Sequence, residues 1–399
     1  MILRKWEVRP LDKERAAAFA QTYGVPFFLA MLMNIRGLDD AAHLREFLGE
    51  GEPLSDPFLL KDMDKAAARI TRAVDNMEKI AVYGDYDADG VTSTAMLYSY
   101  LETRGADVIF YIPQREGEGY GMNMGAVEYL KEQGVSLIVT VDNGISSVQE
   151  VARANELGID VVVTDHHRPQ EILPDAVAVV DAYRPDDTSP YKHFSGVGIA
   201  FKLLMALEDG AGDVEDLLEA YSDLAAIGTI GDIVPLTGEN RTLIRAGLER
   251  LSQSDRPGVQ ALLENAGKAL TSTNVAFTLV PRINATGRMG APERAVRLLI
   301  SGYEEEAEVL SEEICADNEE RRRVEAEIAE AAFADIEAKG YMKDRVVVVD
   351  GENWHHGVIG IVASRVTERC GKPCMIISRG ETEAKGSGRS IEGFSLFEA

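Results

Sequence analysis

The sequence predicts an α/β protein: a mainly parallel, Rossmann-like sheet domain, a long connecting helix, and a second, smaller α/β unit that is only partly present. Three observations carry this. Short runs of consecutive apolar, largely β-branched residues recur between positions 80 and 180, with helix-length segments between them. One stretch, 303–339, is rich in Glu, Ala and Arg and carries apolar residues only at intervals. Beyond it, strand and helix patterns alternate again.

Residues 1–75 read as helical and mixed, with 16–20 and 65–74 the clearest helical patterns, and carry no recognisable chemistry. From Lys79 the alternation is regular. Segments 80–84, 108–112, 137–141, 160–164 and 177–180 read as strands, and 91–103, 124–132 and 145–157 as helices. Strands that are apolar on both faces need cover on both faces, which is the mark of a parallel sheet with crossover helices. Positions 212–267 are helical in pattern, including 217–230 and 241–251. In 303–339 the apolar positions Leu310, Ile314, Val324, Ile328 and Ile336 make a narrow stripe, which suits a largely solvated helix joining two bodies. A strand at 345–350, a helix at 357–369 and a strand at 374–378 then open the second unit. The expected division is 1–75, a catalytic sheet domain over 76–300, a connecting helix over 301–341 and the smaller unit over 342–399. The chain stops just after the apolar-rich segment 391–397, so that unit reads as incomplete, as in a fragment of a longer protein.

Composition narrows the class. With 399 residues, 45% hydrophobic and 27% charged, the chain has the make-up of a soluble globular protein with two or three domains. Its longest apolar runs, 161–163 and 346–349, are too short to cross a bilayer, and the N-terminal Met-Ile-Leu-Arg-Lys-Trp-Glu lacks the apolar core of an export signal. Three cysteines and no such signal point to a cytoplasmic protein without membrane partners. A net charge of −26 rules out a broad basic footprint and argues against non-specific duplex binding as the main task. It leaves a nuclease possible, because bound cations offset carboxylates and a local arginine-lined groove can hold phosphates.

Carboxylates and imidazoles follow the strands. Asp85, Asp87 and Asp89 alternate directly after the first strand, Asp142 follows the third, and Asp165-His166-His167 follow the fourth. In an open parallel sheet these carboxyl ends line one crevice. Each piece alone reads as a turn, a helix cap or polar surface, but three at three strand ends would repel one another strongly unless cations neutralised them. Mixed carboxylate and imidazole donors suit Mn²⁺ better than Mg²⁺, and there are enough for one or two ions. Two ions can activate water and clamp phosphoryl oxygens, so the residues point to hydrolysis of a phosphate ester or anhydride.

These motifs resemble the DHH phosphoesterase superfamily. Gly84-Asp-Tyr-Asp-Ala-Asp-Gly-Val-Thr-Ser93 is similar to its first motif, Val141-Asp-Asn-Gly-Ile145 to its second, and Asp165-His-His167 to the one that gives the name. Further segments resemble the RecJ-type single-strand exonucleases in particular: Ser195-Gly-Val-Gly198, Ile227-Gly-Thr-Ile-Gly-Asp-Ile-Val-Pro235, Pro281-Arg-Ile-Asn-Ala-Thr-Gly-Arg-Met289, Asn353-Trp-His-His-Gly-Val-Ile-Gly360 with Ser364 and Arg365, and Lys385-Gly-Ser-Gly-Arg-Ser390. The resemblance runs from about Trp6 to the last residue.

It implies that Asp232 completes a metal set of Asp87, Asp89, Asp142 and His166, with Asp85 as a partner in catalysis and His167 as a ligand or a contact to the scissile phosphate. By its own composition the 281–289 segment reads as a Gly-containing loop. The resemblance makes its Arg282 and Arg288 a phosphate clamp beside Asn284. His355, Ser387, Arg389 and Ser390 would hold the strand or its 5′ end across the cleft. The implied activity is 5′-to-3′ hydrolysis of single-stranded DNA in recombination and repair, with single-strand-binding or helicase proteins as possible partners. RecJ-type proteins continue into an OB-fold, which this sequence does not contain, and that bears on grip more than on chemistry. The alternatives are a DHH phosphodiesterase of short oligonucleotides or cyclic dinucleotides, and an inactive replication scaffold, which should have lost its metal ligands.

Three other signals carry less. Cys370 and Cys374 lack partner ligands for zinc, the run 318–323 reads as a solvated helix face with internal ion pairs, and 116–120 is a Gly-rich loop beside Arg115 that could line the crevice.

Overall fold

Helix formation begins before the sheet. In the computed structural model, which describes residues 7–49, 51–208, 214–264, 270–396 and 398–399, four helices come first: α1 (Lys13–Tyr23), α2 (Phe27–Arg36), α3 (Ala41–Leu48) and α4 (Met63–Asp75). The outer ends of the helical stretch expected over 212–267, together with Trp6 and Phe397, lie outside the described residues. Then follow β1 (Ile80–Tyr83), α5 (Ala88–Thr103), β2 (Val108–Tyr111), α6 (Met124–Glu132), β3 (Leu137–Val141), α7 (Val148–Glu156), β4 (Asp160–Thr164) and β5 (Ala178–Val180).

The five strands form one parallel sheet in the order β2-β1-β3-β4-β5. The alternation of side chains explains why these strands are largely apolar. Ile80, Val82, Leu137, Val139, Val141, Val162 and Val180 enter a core shared with α4, α5 and the helices that follow the sheet, whereas Ala81, Tyr83, Ile138, Val161, Val163 and Val179 enter a second core under α6 and α7. The chain leaves β1 for β2 on one side and returns to β3 on the other. The switch point therefore lies between β1 and β3, where a crevice opens beyond the strand ends.

A helical layer follows: α8 (Gly196–Leu207), α9 (Val214–Asp232), α10 (Gly238–Leu251), α11 (Pro257–Glu264), α12 (Ser272–Asn274), a π turn (Val275–Leu279) running straight into α13 (Val280–Met289), and α14 (Glu293–Ile300). The segment read as a Gly-containing loop, 281–289, is thus a helix. Pro281 follows directly on the π turn in a helical run that starts at Ser272, so its missing N–H falls where the regular hydrogen-bond ladder is already interrupted, and Gly287 is there because α13 packs too closely for a side chain.

The long helix is α15 (Glu304–Lys339). Its first half contributes Ala307, Leu310 and Ile314 to the core of the large domain, and its second half contributes Ile328, Ala329, Ala332 and Ile336 to a separate core. That second core lies under a three-stranded sheet, β6 (Val347–Glu352), β7 (Cys374–Arg379) and β8 (Ala384–Arg389), with α16 (His356–Cys370) packed against it. Strand β8 pairs antiparallel with β7, and its Gly386 and Gly388 kept it from reading as a strand. No helix among the described residues is long and apolar enough to cross a membrane.

Candidate metal centre and the facing cleft

Each acid is placed by a short-range device. Asp87 is the N-cap of α5, its Oδ1 accepting from the amides of Asp89 (2.9 Å) and Gly90 (3.1 Å). Asp89 is buried and accepts from the first amides of α8, Gly196 N (2.6 Å) and Val197 N (2.8 Å). This is what the Ser195-Gly-Val-Gly198 segment does: Ser195 caps α8 and hydrogen-bonds Thr229, and the helix N-terminus holds a carboxylate. A Cβ on Gly196 would run into the Asp142 side chain, so only glycine lets α8 come this close.

Asp142 sits at φ 61°, in the left-handed region that Asp tolerates better than most residues. Behind it, Asn143 Nδ2 donates to the last carbonyls of both β1 and β3, Tyr83 O at 3.1 Å and Val141 O at 2.9 Å. Asp165 turns away from the crevice. It accepts from Ile145 N (2.9 Å) and from His167 Nδ1 (2.7 Å), so it aims one histidine and does not join the carboxylates that face one another. Asp232 ends α9, where the helix dipole disfavours an acid, and the next residue, Ile233, is at φ 63°.

These devices bring the side chains together. His166 Nε2 lies 3.0 Å from Asp142 Oδ1, 3.6 Å from Asp232 Oδ2 and 3.8 Å from Asp89 Oδ2. Three sets of donors, Asp142/His166/His167, Asp89/His166/Asp232 and Asp85/Asp87/Asp142, each converge within 4.8 Å. All seven acids and imidazoles expected at the centre are therefore in one place, and Asp85 contributes an oxygen as a ligand would. Asp85 Oδ1, Asp142 Oδ1, Asp232 Oδ2 and His166 Nε2 are buried without a hydrogen-bond partner. Buried polar atoms are rarely left so, and four of them aimed at one another fit a cation that binds through them.

The electrostatics agree. Burial, and then the charges of neighbouring acids, raise Asp85, Asp89 and Asp142 well above the usual carboxylate range, and push Asp232 up to about 7. Without a cation this cluster takes up protons; a dication would return it to the ionised form. Burial and the charge of His167 push His166 down to about 4, which leaves a neutral ring with a free lone pair despite the carboxylates around it. Burial alone would lower His167 as well, but its bond to Asp165 raises it to about 9.

Helix α13 locks the first acidic loop. Asn284 Oδ1 accepts from Ala88 N (2.7 Å), and a side chain on Gly287 would strike the Tyr86 carbonyl. Arg288 is on the same face and donates to Gly357 O (2.9 Å), joining the two units, and burial then the charges of Arg115 and Arg321 lower it to about 10. Arg282 is elsewhere: its Nη1 donates to Thr278 O one turn back, and it does not line the cleft.

Between the units runs a cleft of about 610 Å³, lined by Arg321 and Arg322 of α15 and Arg365 of α16, and by Ile233 after α9 with Phe277 and Arg288 of the π turn and α13. The helix face at 318–323 therefore does both things: Arg323 pairs with Glu320 and Glu327 as expected of a solvated face, while Arg321 and Arg322 turn to the cleft. A smaller cavity of about 220 Å³ lies on the other side of the Arg288–Gly357 bridge, lined by Arg115, His356, Lys385 and Ser387 among others. Arg389 donates to Ser364 Oγ (3.2 Å) and Ser387 Oγ (3.3 Å). His355 caps α16 through Nδ1, so His356 is the member of that pair that faces the smaller cavity. Ser390 donates to Phe394 O within the C-terminal turn. The Gly-rich loop 116–120, read as able to line the crevice, reaches the centre through Tyr120, whose hydroxyl donates to Asp142 O (3.0 Å) and lies 3.1 Å from His167 Nδ1. No specific role for Tyr120 could be read from the sequence.

Comparison with known proteins gives the lineage. Residues 79–229 match the model of the DHH family, N-terminal domain, and residues 343–399 that of the DHHA1 domain. The chain is 43% identical over 401 residues to the single-stranded-DNA-specific exonuclease RecJ of Bacillus subtilis, an alignment that takes in 99% of this chain and 50% of that one. It superposes on a crystal structure of exonuclease RecJ bound to manganese with a TM-score of 0.77 and 38% identity, over 87% of this chain and 86% of that one. For RecJ of Thermus thermophilus in complex with Mn²⁺ the TM-score is 0.84 and the identity 34%, over 98% of this chain and 56% of that one. The chain thus spans about half the length of the Bacillus relative.

Proposed function

Because this chain belongs to the RecJ branch of the DHH family, we propose that it hydrolyses phosphodiester bonds of single-stranded DNA from the 5′ end, with Mn²⁺, or Mg²⁺ in its place, held by Asp85, Asp87, Asp89, Asp142, His166, His167 and Asp232. The observation that carries the reading is the set of buried, unpartnered donors on Asp85, Asp142, Asp232 and His166, which opens beside an arginine-lined cleft. Donors fall into sets that share Asp142 and His166, which suits two adjacent ions better than one. When bound, the ions supply an activated water and charge compensation for the phosphoryl group.

The chain's own groups do the rest. Asp165 holds His167 in one tautomer and orientation, and the Tyr120 hydroxyl packs against the same ring, 3.1 Å from Nδ1 and 3.3 Å from Nε2. Asn284 and Gly287 fix the loop that carries Asp85 and Asp87. Arg288, at the junction of the two cavities, steadies the charge of the scissile phosphate. The larger cleft takes the body of the strand. The smaller cavity, with Arg115, Lys385, Ser387 and the nearby Arg389, takes the 5′ end. A small pocket and a larger cleft joined through the Arg288–Gly357 bond suit an enzyme that trims from an end. The work belongs to recombination and repair in the cytoplasm, and the free thiols of Cys315, Cys370 and Cys374 are compatible with that compartment.

The test is cleavage of 5′- and 3′-labelled single-stranded DNA with Mn²⁺, alongside a dinucleotide. Mononucleotides released from the 5′ end of long DNA are expected. Hydrolysis of the dinucleotide alone would replace this reading with the short-oligonucleotide one, and no hydrolysis of either with Mn²⁺ bound would favour the scaffold.

A further inference from the structure

The wall of the large cleft opposite the arginines is built by two irregularities of the backbone. Phe277 is the middle residue of the π turn Val275–Leu279 and is 75% exposed. Ile233, directly after Asp232, is 87% exposed and sits at φ 63°, a conformation β-branched residues avoid. Each irregularity turns a large apolar side chain out of the helical layer and into the same cleft. Such features persist where the surrounding structure over-determines them, and they cluster at functional sites.

The facing wall is cationic. Arg321 and Arg365 share Glu325, while Arg322 has no hydrogen bond or ion pair among the described residues. A ligand that satisfies both walls must be anionic along one edge and flat and apolar along the other. An unpaired nucleic-acid strand has that form, because its phosphates and its bases face different ways; in a duplex the base faces are already stacked. The position is definite, since Gly231, next to Asp232, and Arg288 line the same cleft.

The geometry points to a base platform: Phe277 stacks on a base next to the scissile bond, Ile233 abuts the neighbouring base, and Arg321 and Arg322 carry the phosphates between them. This deepens the single-strand reading above and rests on it. The platform accounts for grip on bases of any identity, because every base offers a π face.

Fluorescence anisotropy tests it, using a labelled short oligonucleotide and the same strand made abasic, with Ca²⁺ replacing Mn²⁺ so that the strand stays intact. Phe277→Ala is expected to weaken binding of the base-bearing strand roughly tenfold and to leave the abasic strand as it was, while Phe277→Trp restores binding. An unchanged affinity, or an equal loss on both strands, would overturn the platform and leave the single-strand reading standing. If the unmodified protein binds neither strand, the single-strand reading itself fails.

Discussion

The metal centre and the arginine wall across from it are made on opposite principles. On the metal side, Asp85, Asp89, Asp142 and His166 are buried; Asp89 is held by two helix amides, while Asp85, Asp142 and His166 each keep a buried atom without a partner. On the facing side, Arg365 and Arg389 are solvent-accessible and rest on neighbouring side chains, Arg365 on Glu325 and Arg389 on Ser364 and Ser387. The first wall is electrostatically unfavourable until a cation arrives. The difference teaches that chemistry here depends on a few buried atoms held immobile at a cost to the apo protein, whereas strand holding is spread over largely accessible side chains with neighbours of their own.

The sharpest way to break that contrast is Asp142→Ala. This residue belongs to two of the three donor sets, so cleavage with Mn²⁺ should fall by at least about 10³-fold, several kcal/mol of charge stabilisation. The apo protein should change little in stability, because relief of repulsion among the acids offsets the strain of alanine at φ 61°. Thermal melts with and without Mn²⁺ check this. A saturating ion stabilises by about 2.7 kcal/mol at a hundred times its Kd, and that gain should shrink in the variant. Full turnover, or an undiminished Mn²⁺ effect, would remove Asp142 from the metal centre.

Gly287→Ala probes the same wall from behind, with a smaller effect. Alanine favours a helix by about 1 kcal/mol over glycine, but here its methyl would meet the Tyr86 carbonyl. Helix α13 should move off the 85–88 loop and loosen the Asn284–Ala88 bond, shifting Asp85 and Asp87. A displacement of that order can cost about 10²-fold in rate, with the melting temperature little changed. Single-turnover cleavage is the measurement, and a wild-type rate would mean that α13 does not position the loop.

The same contrast governs what could be read from sequence. β1, β3 and β4 were legible because a sheet covered on both faces leaves few polar positions in its strands, and the acids were legible because they follow those strands directly. Asp232 was not, since nothing local distinguishes an acid at the end of a helix; only the resemblance of its segment marked it. The stretch 281–289 misled because Pro281 and Gly287 are loop signals in isolation, and here one follows a π turn within a helical run while the other yields to a neighbouring carbonyl. β8 was hidden by Gly386 and Gly388, and the cleft-facing Arg321 and Arg322 lie in a run whose ion pairs with Glu read as plain surface. The holding wall is assembled between two bodies, and no local pattern records which exposed arginine meets which cavity.

Arg389→Ala should give the smallest effect, and it defines the second wall. The guanidinium is exposed, and its loss removes hydrogen bonds to Ser364 and Ser387 that water can replace, so stability should change by no more than about 0.5 kcal/mol. If Arg389 meets a phosphate near the 5′ end, binding of single-stranded DNA should weaken alike for every sequence. The dependence of log K on log salt should then become shallower by about 0.7, the value for one phosphate contact on a single strand. Turnover at saturating DNA should barely change, because the metal centre is untouched. Titrations at several salt concentrations read this directly. An unchanged slope would take Arg389 off the strand's path, and a collapse of turnover at saturation would mean that the two walls are not separable and that Arg389 acts on the reacting phosphate itself.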